Sequence, residues 1–296
     1  MKIYKWLTIP VKIITEIIVT CLMILSLLAF SKTFLLFLQP HWFQMFLLRL
    51  KELLISVMNF PNIRVRVSDF KNQSLMEALA EPYFYSVKIL ICVFLLSILM
   101  GINFSIIVSL LPRKMQKIIK EIVFFFESIP DVILIFSIQL IIIWIFKKSA
   151  ILIVNPIGYL ENIYILPIVV TSIIPTIMLF QMTLFGIGEE QNKPYVEFAK
   201  AKGITRLRVL TSHIFQNVCL VVFSNIQLIL WLIISNLLIT EYIFNTKGIF
   251  SFMFRHLNSA DVLAACLLLI FIPFYFIDYL GGAISVRMSG QGGDRA

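Results

Sequence analysis

Charge is scarce in this chain. Asp, Glu, Lys and Arg make up 14% of its 296 residues, against 60% hydrophobic residues. A soluble domain of that length cannot hide so much apolar surface, so soluble globular folds are excluded. Paired cysteines are also missing. Cys21, Cys92, Cys219 and Cys266 lie singly in apolar surroundings, with no C-x-x-C and no Cys/His pairing. A disulfide framework is excluded, and the four read as buried small hydrophobes. Histidine is sparse, and His41 and His256 have no second ligand at metal spacing, which argues against a metal centre. No G-x-x-x-x-G-K-[ST] loop occurs, so this chain does not hydrolyse ATP itself. No Ser/His/Asp set or carboxylate pair stands out in the apolar runs, and no cofactor is called for. A membrane-embedded enzyme, the rival of another class, needs clustered ionisable residues at one depth.

What the chain does have is six long apolar runs, at 11–31, 86–111, 121–146, 163–186, 219–243 and 261–282. Each reaches the roughly 20 residues of a spanning helix. The short alternating segments of a membrane barrel are absent. The expected fold is all-α and polytopic, with six transmembrane helices. The N-terminal run has no small-x-small cleavage site, so residues 1–31 read as a retained first span. Residues 32–85 are too mixed for a span and read as an extracytoplasmic insertion. Residues 86–282 form the core, with a polar loop at 187–218. Residues 283–296 read as a tail.

The formal charge of +9 sits mostly in short loops beside spans. Lys2, Lys5 and Lys12 precede the first span. Arg113, Lys114, Lys117 and Lys120 follow the second, and Lys193, Lys200, Lys202, Arg206 and Arg208 follow the fourth. That bias is the positive-inside pattern rather than a nucleic-acid patch. It places both termini and the 187–218 loop in the cytoplasm.

The loop itself is unusual. Tyr195-Val196-Glu197-Phe198-Ala199-Lys200-Ala201-Lys202-Gly203 is followed by Val209-Leu210-Thr211-Ser212-His213-Ile214-Phe215-Gln216-Asn217. Pro194 suits a first helical turn. Glu197 falls where the helix dipole favours an anion. Gly203 stands where a left-handed C-cap is needed. Thr205 suits an N-cap, and Leu207, Leu210 and Ile214 follow at helical spacing. The pattern predicts a helical elbow with small residues on one arm. It fits a docking element for a partner, or an amphipathic loop lying on the membrane.

Tyr-Val-x-x-Ala-x-Ala-Lys-Gly and Val-Leu-x-x-His-x-x-x-Asn resemble the "EAA" loop of permease subunits of binding-protein-dependent ABC importers, in the dipeptide/oligopeptide/nickel branch. Glu241-Tyr242-Ile243-Phe244-x-x-x-Gly248-Ile249, with Asp261 beyond, is similar to that branch's segment after span five. Ser128-Ile129-Pro130 and Leu166-Pro167 are weaker matches. The resemblance covers roughly residues 80–282 and implies the type I importer permease fold in a bacterial cytoplasmic membrane. It implies a second permease, two cytoplasmic ATPase subunits and an extracytoplasmic solute-binding protein as partners. The solute would be a peptide or related small molecule, or else nickel or a metal–chelator complex. A non-transporting scaffold that kept the fold is a further alternative. In such permeases the loop is the coupling helix. Carried over, Glu197, Ala199, Ala201 and Gly203 dock on the ATPase, and Tyr195, Lys202 and His213 support the elbow. The chain departs from the pattern at Leu184, where an arginine is usual, and at Lys247, where a proline is usual. The run Phe185-Gly186-Ile187-Gly188 beside Leu184 reads as flexible.

Polar residues inside the runs are few. Asn225, Asn236 and Thr240 fall within about 60° of one another on a continuous helix. Such a stripe can line a translocation path or bond neighbouring helices. Glu241 joins them as a gate residue by family position alone. Gln139 and Gln181 read as interhelical hydrogen-bonding groups. Glu16 reads as pairing with Lys12 or reaching towards the interface.

Overall fold

The computed structural model describes residues 2–60, 63–68, 71–149, 155, 158 and 162–288. The tail from 289 onward lies outside them. The described chain is helical apart from one small hairpin. Its helices are α1 (Lys2–Thr33), α2 (Trp42–Met58), α3 (Leu75–Leu110), α4 (Arg113–Glu127), α5 (Asp131–Ser149) and α6 (Ile165–Glu190). There follow α7 (Pro194–Ala201), α8 (Arg206–Val209), α9 (Phe215–Ser224), α10 (Ile226–Ile243), α11 (Ile249–Arg255) and α12 (Ala260–Met288). Strands β1 (Arg64–Ser68) and β2 (Lys71–Ser74) pair antiparallel, with a register shift between Arg66 and Ser68.

Among the described residues, seven helical stretches are long and apolar enough to cross a membrane. Six correspond to the six expected runs. The seventh, Arg206–Ser224, is the second arm of the polar loop carried up to the start of α10. The boundaries differ in three places. The run at 121–146 is not one helix: α4 stops at Glu127 and α5 starts at Asp131. Pro130 has no N–H and its ring clashes with a preceding carbonyl, which ends α4. The run at 219–243 breaks at Asn225, whose backbone (φ −106°, ψ 10°) leaves the helical region. The second span starts earlier than expected, because helix forms from Leu75. With 36 residues, α3 is about 54 Å long, well beyond the ~30 Å hydrocarbon layer.

The chain forms two compact units. The first comprises residues 1–84 and 248–277. Its core joins Leu25 and Ala29 of α1, Leu53 of α2, and Ala260 and Ala264 of α12. Three of these five are alanines, and small residues let helices approach closely where no hydrophobic effect drives them together. Lys32 donates to the carbonyls of Leu257 (3.0 Å) and Asn258 (3.3 Å), beyond the end of α11. Glu16 accepts from the Tyr275 hydroxyl at 2.6 Å, a partner on α12 that local spacing does not reveal.

The second unit comprises, among the described residues, those of 85–247 and 278–288. Here α6 packs on α10 and α9. Ile135 of α5, Leu166 and Val170 of α6, and Phe244 share one cluster. Val108 of α3 meets Phe180 and Leu184 of α6 in another. Leu184 is thus an apolar core residue. At Gly101, α3 runs close against α6: a Cβ there would stand 2.7 Å from the Cβ of Leu179. The Phe185–Gly188 run remains helical within α6, and Gly186 lies against Val218 of α9. Pro167 occupies the first turn of α6, where a missing N–H costs nothing.

Candidate functional site

The glycine-hinged loop folds as an elbow. α7 opens at Pro194 and ends at Ala201, and Gly203 then takes φ +78°, the left-handed region. The N–H of Gly203 bonds to the carbonyl of Lys200 (2.9 Å), and that of Ile204 reaches back to Ala199 (3.3 Å). These bonds satisfy carbonyls that a helix end leaves orphaned. Thr205 occupies the N-cap position with extended backbone but makes no side-chain capping bond. The second arm is α8, then a single π turn at Leu210–Ile214, then α9. A π turn admits an extra residue and turns the faces. Val209, Leu210 and Ile214 are buried, whereas Leu207, at helical spacing from Leu210 and Ile214, is 53% exposed.

The elbow has its own small core. Val196 and Ala199 of α7 pack with Ile187 of α6 and with Val209, Leu210, Ile214 and Val218 of the second arm. Ala199, expected on the docking face, is only 7% exposed and faces this core instead. The reason is helical spacing: Val196 and Ala199 are three apart, so they share a face. Glu197, Phe198, Ala201, Lys202 and Gly203 are exposed. Phe198 is 63% exposed, with the Lys202 ammonium 4.5 Å from its ring centroid. His213, expected to support the elbow, is exposed on the π turn.

Two sets of polar contacts fasten the elbow. In the first, Glu190, the last residue of α6, accepts from the Tyr195 hydroxyl (2.6 Å), the Asn217 amide (3.1 Å) and the Lys193 ammonium. One carboxylate thereby joins α6, α7 and α9. Burial and the adjacent Glu190 carboxylate push the Tyr195 hydroxyl up to about 12, so it remains a donor at neutral pH. In the second, Arg206 donates to the carbonyls of Ser109 (2.6 Å) and Leu110 (3.4 Å) at the end of α3. Gln116 of α4 donates to Ser109 (3.1 Å) and Leu111 (2.9 Å). The elbow is thus pinned to the ends of two spans. Tyr195 was foreseeable from the loop pattern. Glu190, Asn217 in this role, and Arg206 were not, since their partners lie outside the motif or far along the chain.

The intramembrane polar residues do not form one stripe. The break at Asn225 takes that residue off the axis of α10, and its amide bonds to Val221 of its own arm (2.8 Å). Thr240 accepts from Thr171 across α6 and α10 (2.9 Å). Glu241 is fully buried and accepts from Ser86 of α3. Tyr85 beside it donates to the carbonyl of Ile163. Asn236 is 1% exposed, and its side-chain oxygen has no partner among the described residues. Gln139 donates to Ile243 across α5 and α10 (3.2 Å), and Gln181 to Glu127 across α6 and α4 (2.7 Å). Most of this set bonds helix to helix.

A helical membrane protein with a Gly-hinged elbow pinned to the ends of its spans is the architecture of a transporter's membrane component. The comparisons agree. Residues 93–289 match the family described as "Binding-protein-dependent transport system inner membrane component", and the chain belongs to that family. It is 29% identical over 131 residues to the dipeptide transport system permease protein DppB of Escherichia coli (strain K12). That alignment covers 42% of this chain and 38% of the relative. It is 28% identical over 134 residues to the di/tripeptide transport system permease protein DppB of Pseudomonas aeruginosa, covering 43% and 40%. The chain thus spans about two fifths of the length of these relatives. Among solved structures, two crystal forms of the inward-facing MetNI methionine ABC transporter superpose with TM-scores of 0.59 and 0.60. They cover 74% of this chain and 99% of theirs, at 15% and 14% identity, a likeness of fold.

Proposed function

We propose that this chain is one of two permease subunits forming the translocation path of an ATP-driven importer for peptides or a related small solute. It sits in a bacterial cytoplasmic membrane with both termini and the elbow on the cytoplasmic side, and residues 32–85 on the other. ATP is hydrolysed by two separate cytoplasmic subunits, and an extracytoplasmic binding protein delivers the solute. The observation that carries this reading is the elbow. Its outer face, with Glu197, Phe198, Ala201 and Lys202, is exposed, while Ala199 and Val196 anchor it from within. The Glu190 and Arg206 contacts join it to α6 and α3, so a push on the elbow reaches two spans. Tyr195 supports the joint directly, Lys202 braces Phe198, and His213 belongs to the exposed outer surface. The peptide class rests on the dipeptide permeases that the chain resembles. Asn225, Asn236, Thr240 and Glu241 act near the path, as contacts that rearrange when the spans move rather than as a fixed lining.

The test is purification of the assembled complex from native membranes, with mass spectrometry of its subunits and bound solute. Two ATPase copies, a second permease and short peptides in the binding protein are expected. A chain that purifies without any ATPase, from cells that take up peptides normally without it, overturns the reading.

A further inference from the structure

Beneath the elbow lies a cavity of about 580 Å³ whose walls carry Arg113, Lys200 and Arg206 together with Gln116 and Gln191. No acidic residue lines it. None of the three cations lies within ion-pair distance of a carboxylate among the described residues. Among the described residues, Arg206 is engaged only by the two carbonyls at the end of α3. Three like charges around one cavity repel each other, and a bound anion removes that cost. Apolar side chains complete the lining, Val196, Val209 and Ile214 among them. Leu111 and Pro112, between the end of α3 and the start of α4, are among its lining residues, so it lies beside the end of a span.

We propose that this cavity binds a phosphate group, and that its usual source is the headgroup of an anionic phospholipid of the inner leaflet. Arg113 and Lys200 hold the phosphate, and Arg206 adds its field while remaining on α3. Because Lys200 belongs to α7 and Arg113 to α4, a seated headgroup bridges the elbow to the loop between spans two and three. The proposal rests on the cytoplasmic placement of the elbow. Basic recesses beside spans on that side are suited to anionic headgroups.

The test uses the complete complex in nanodiscs of phosphatidylcholine with a minor fraction of phosphatidylglycerol, and native mass spectrometry of retained lipid. Arg113→Gln with Lys200→Gln is compared with Lys114→Gln, which removes charge from α4 outside the cavity. Arg206 is left intact because it caps α3. Each cavity cation should be worth about fivefold in phosphatidylglycerol retention, so the double variant should lose roughly 25-fold and Lys114→Gln far less. A second arm titrates inorganic phosphate in pure phosphatidylcholine and follows thermal stability. Stabilisation by phosphate alone, lost in the double variant, with no preference for phosphatidylglycerol, assigns the site to a free anion and overturns the lipid source. Equal loss in all variants, or no retention in the wild type, overturns the site itself. Solute uptake is measured alongside. Failure of the lipid site with uptake intact leaves the importer reading standing, and a complex lacking uptake and ATPase subunits removes that reading whatever the lipid does.

Discussion

Gly203 is the residue on which the elbow turns. Its φ of +78° is strained for any side chain by about 1 kcal/mol or more, and worse for a β-branched one. No atom lies within 4 Å of where its Cβ would be, so the cost is conformational rather than steric. Gly203→Val should insert normally, lose most ATP-driven uptake, and leave Gly203→Asn, which tolerates the left-handed region better, partly active. Equal uptake by both variants and the wild type, measured in vesicles, removes the hinge argument. Glu190 is a second hinge residue. Tyr195→Phe deletes one hydrogen bond to its carboxylate and should lower thermal stability by about 1 kcal/mol. Glu190→Leu removes the shared acceptor of Tyr195, Asn217 and Lys193, leaving only the Asn217–Tyr195 contact (3.3 Å), and should cost more than Tyr195→Phe, read as the shift in thermal unfolding of the purified complex. The glycine was visible in the bare sequence because few residues other than glycine adopt that backbone. Glu190 was not, since a carboxylate at a span's end looks like any interfacial charge until its three donors are placed around it.

At the scale of elements, two breaks interrupt the apolar runs. Pro130 ends α4, and Asn225 separates the second arm from α10. The first break carries a proline inside an apolar run, and hydropathy does not register a missing N–H. The second, at Asn225, has neither proline nor glycine to mark it. The π turn at Leu210–Ile214 was equally hidden, because it changes the register without changing the composition. By contrast α7, with Pro194 at its start and Gly203 past its end, carries its boundaries in the chain itself. Two predictions belong here. Gly101→Ala should drive α3 away from α6, since its Cβ would meet Leu179 at 2.7 Å. A cost of about 1–3 kcal/mol is expected, read as reduced thermal stability of the complex. A neutral result would mean that α3 and α6 are not packed this closely in the membrane. Arg206→Gln removes the guanidinium contacts to the carbonyls of Ser109 and Leu110 and should uncouple the second arm from that span. ATP hydrolysis should then persist while uptake falls, whereas loss of both together would make Arg206 merely structural.

For the whole molecule, the claim is that force enters at one exposed arm and leaves through α3 and α6. The membrane class, the spans and the elbow were readable from composition and spacing. What could not be read was which side of α7 faces out, because Ala199 and Ala201 are both small and only packing distinguishes them. That distinction supplies the most direct measurement. A photo-crosslinking amino acid is placed at Ala201 in one protein and at Ala199 in another, within the assembled complex. Position 201 is exposed and should capture the ATPase subunit in high yield, with the yield changing between nucleotide-free and ATP-bound states. Position 199, buried against Val209 and Leu210, should capture residues of this chain instead. Capture of the ATPase from neither position, or equally from both, would contradict docking through the outer face of α7, and with it the account of how this chain is driven.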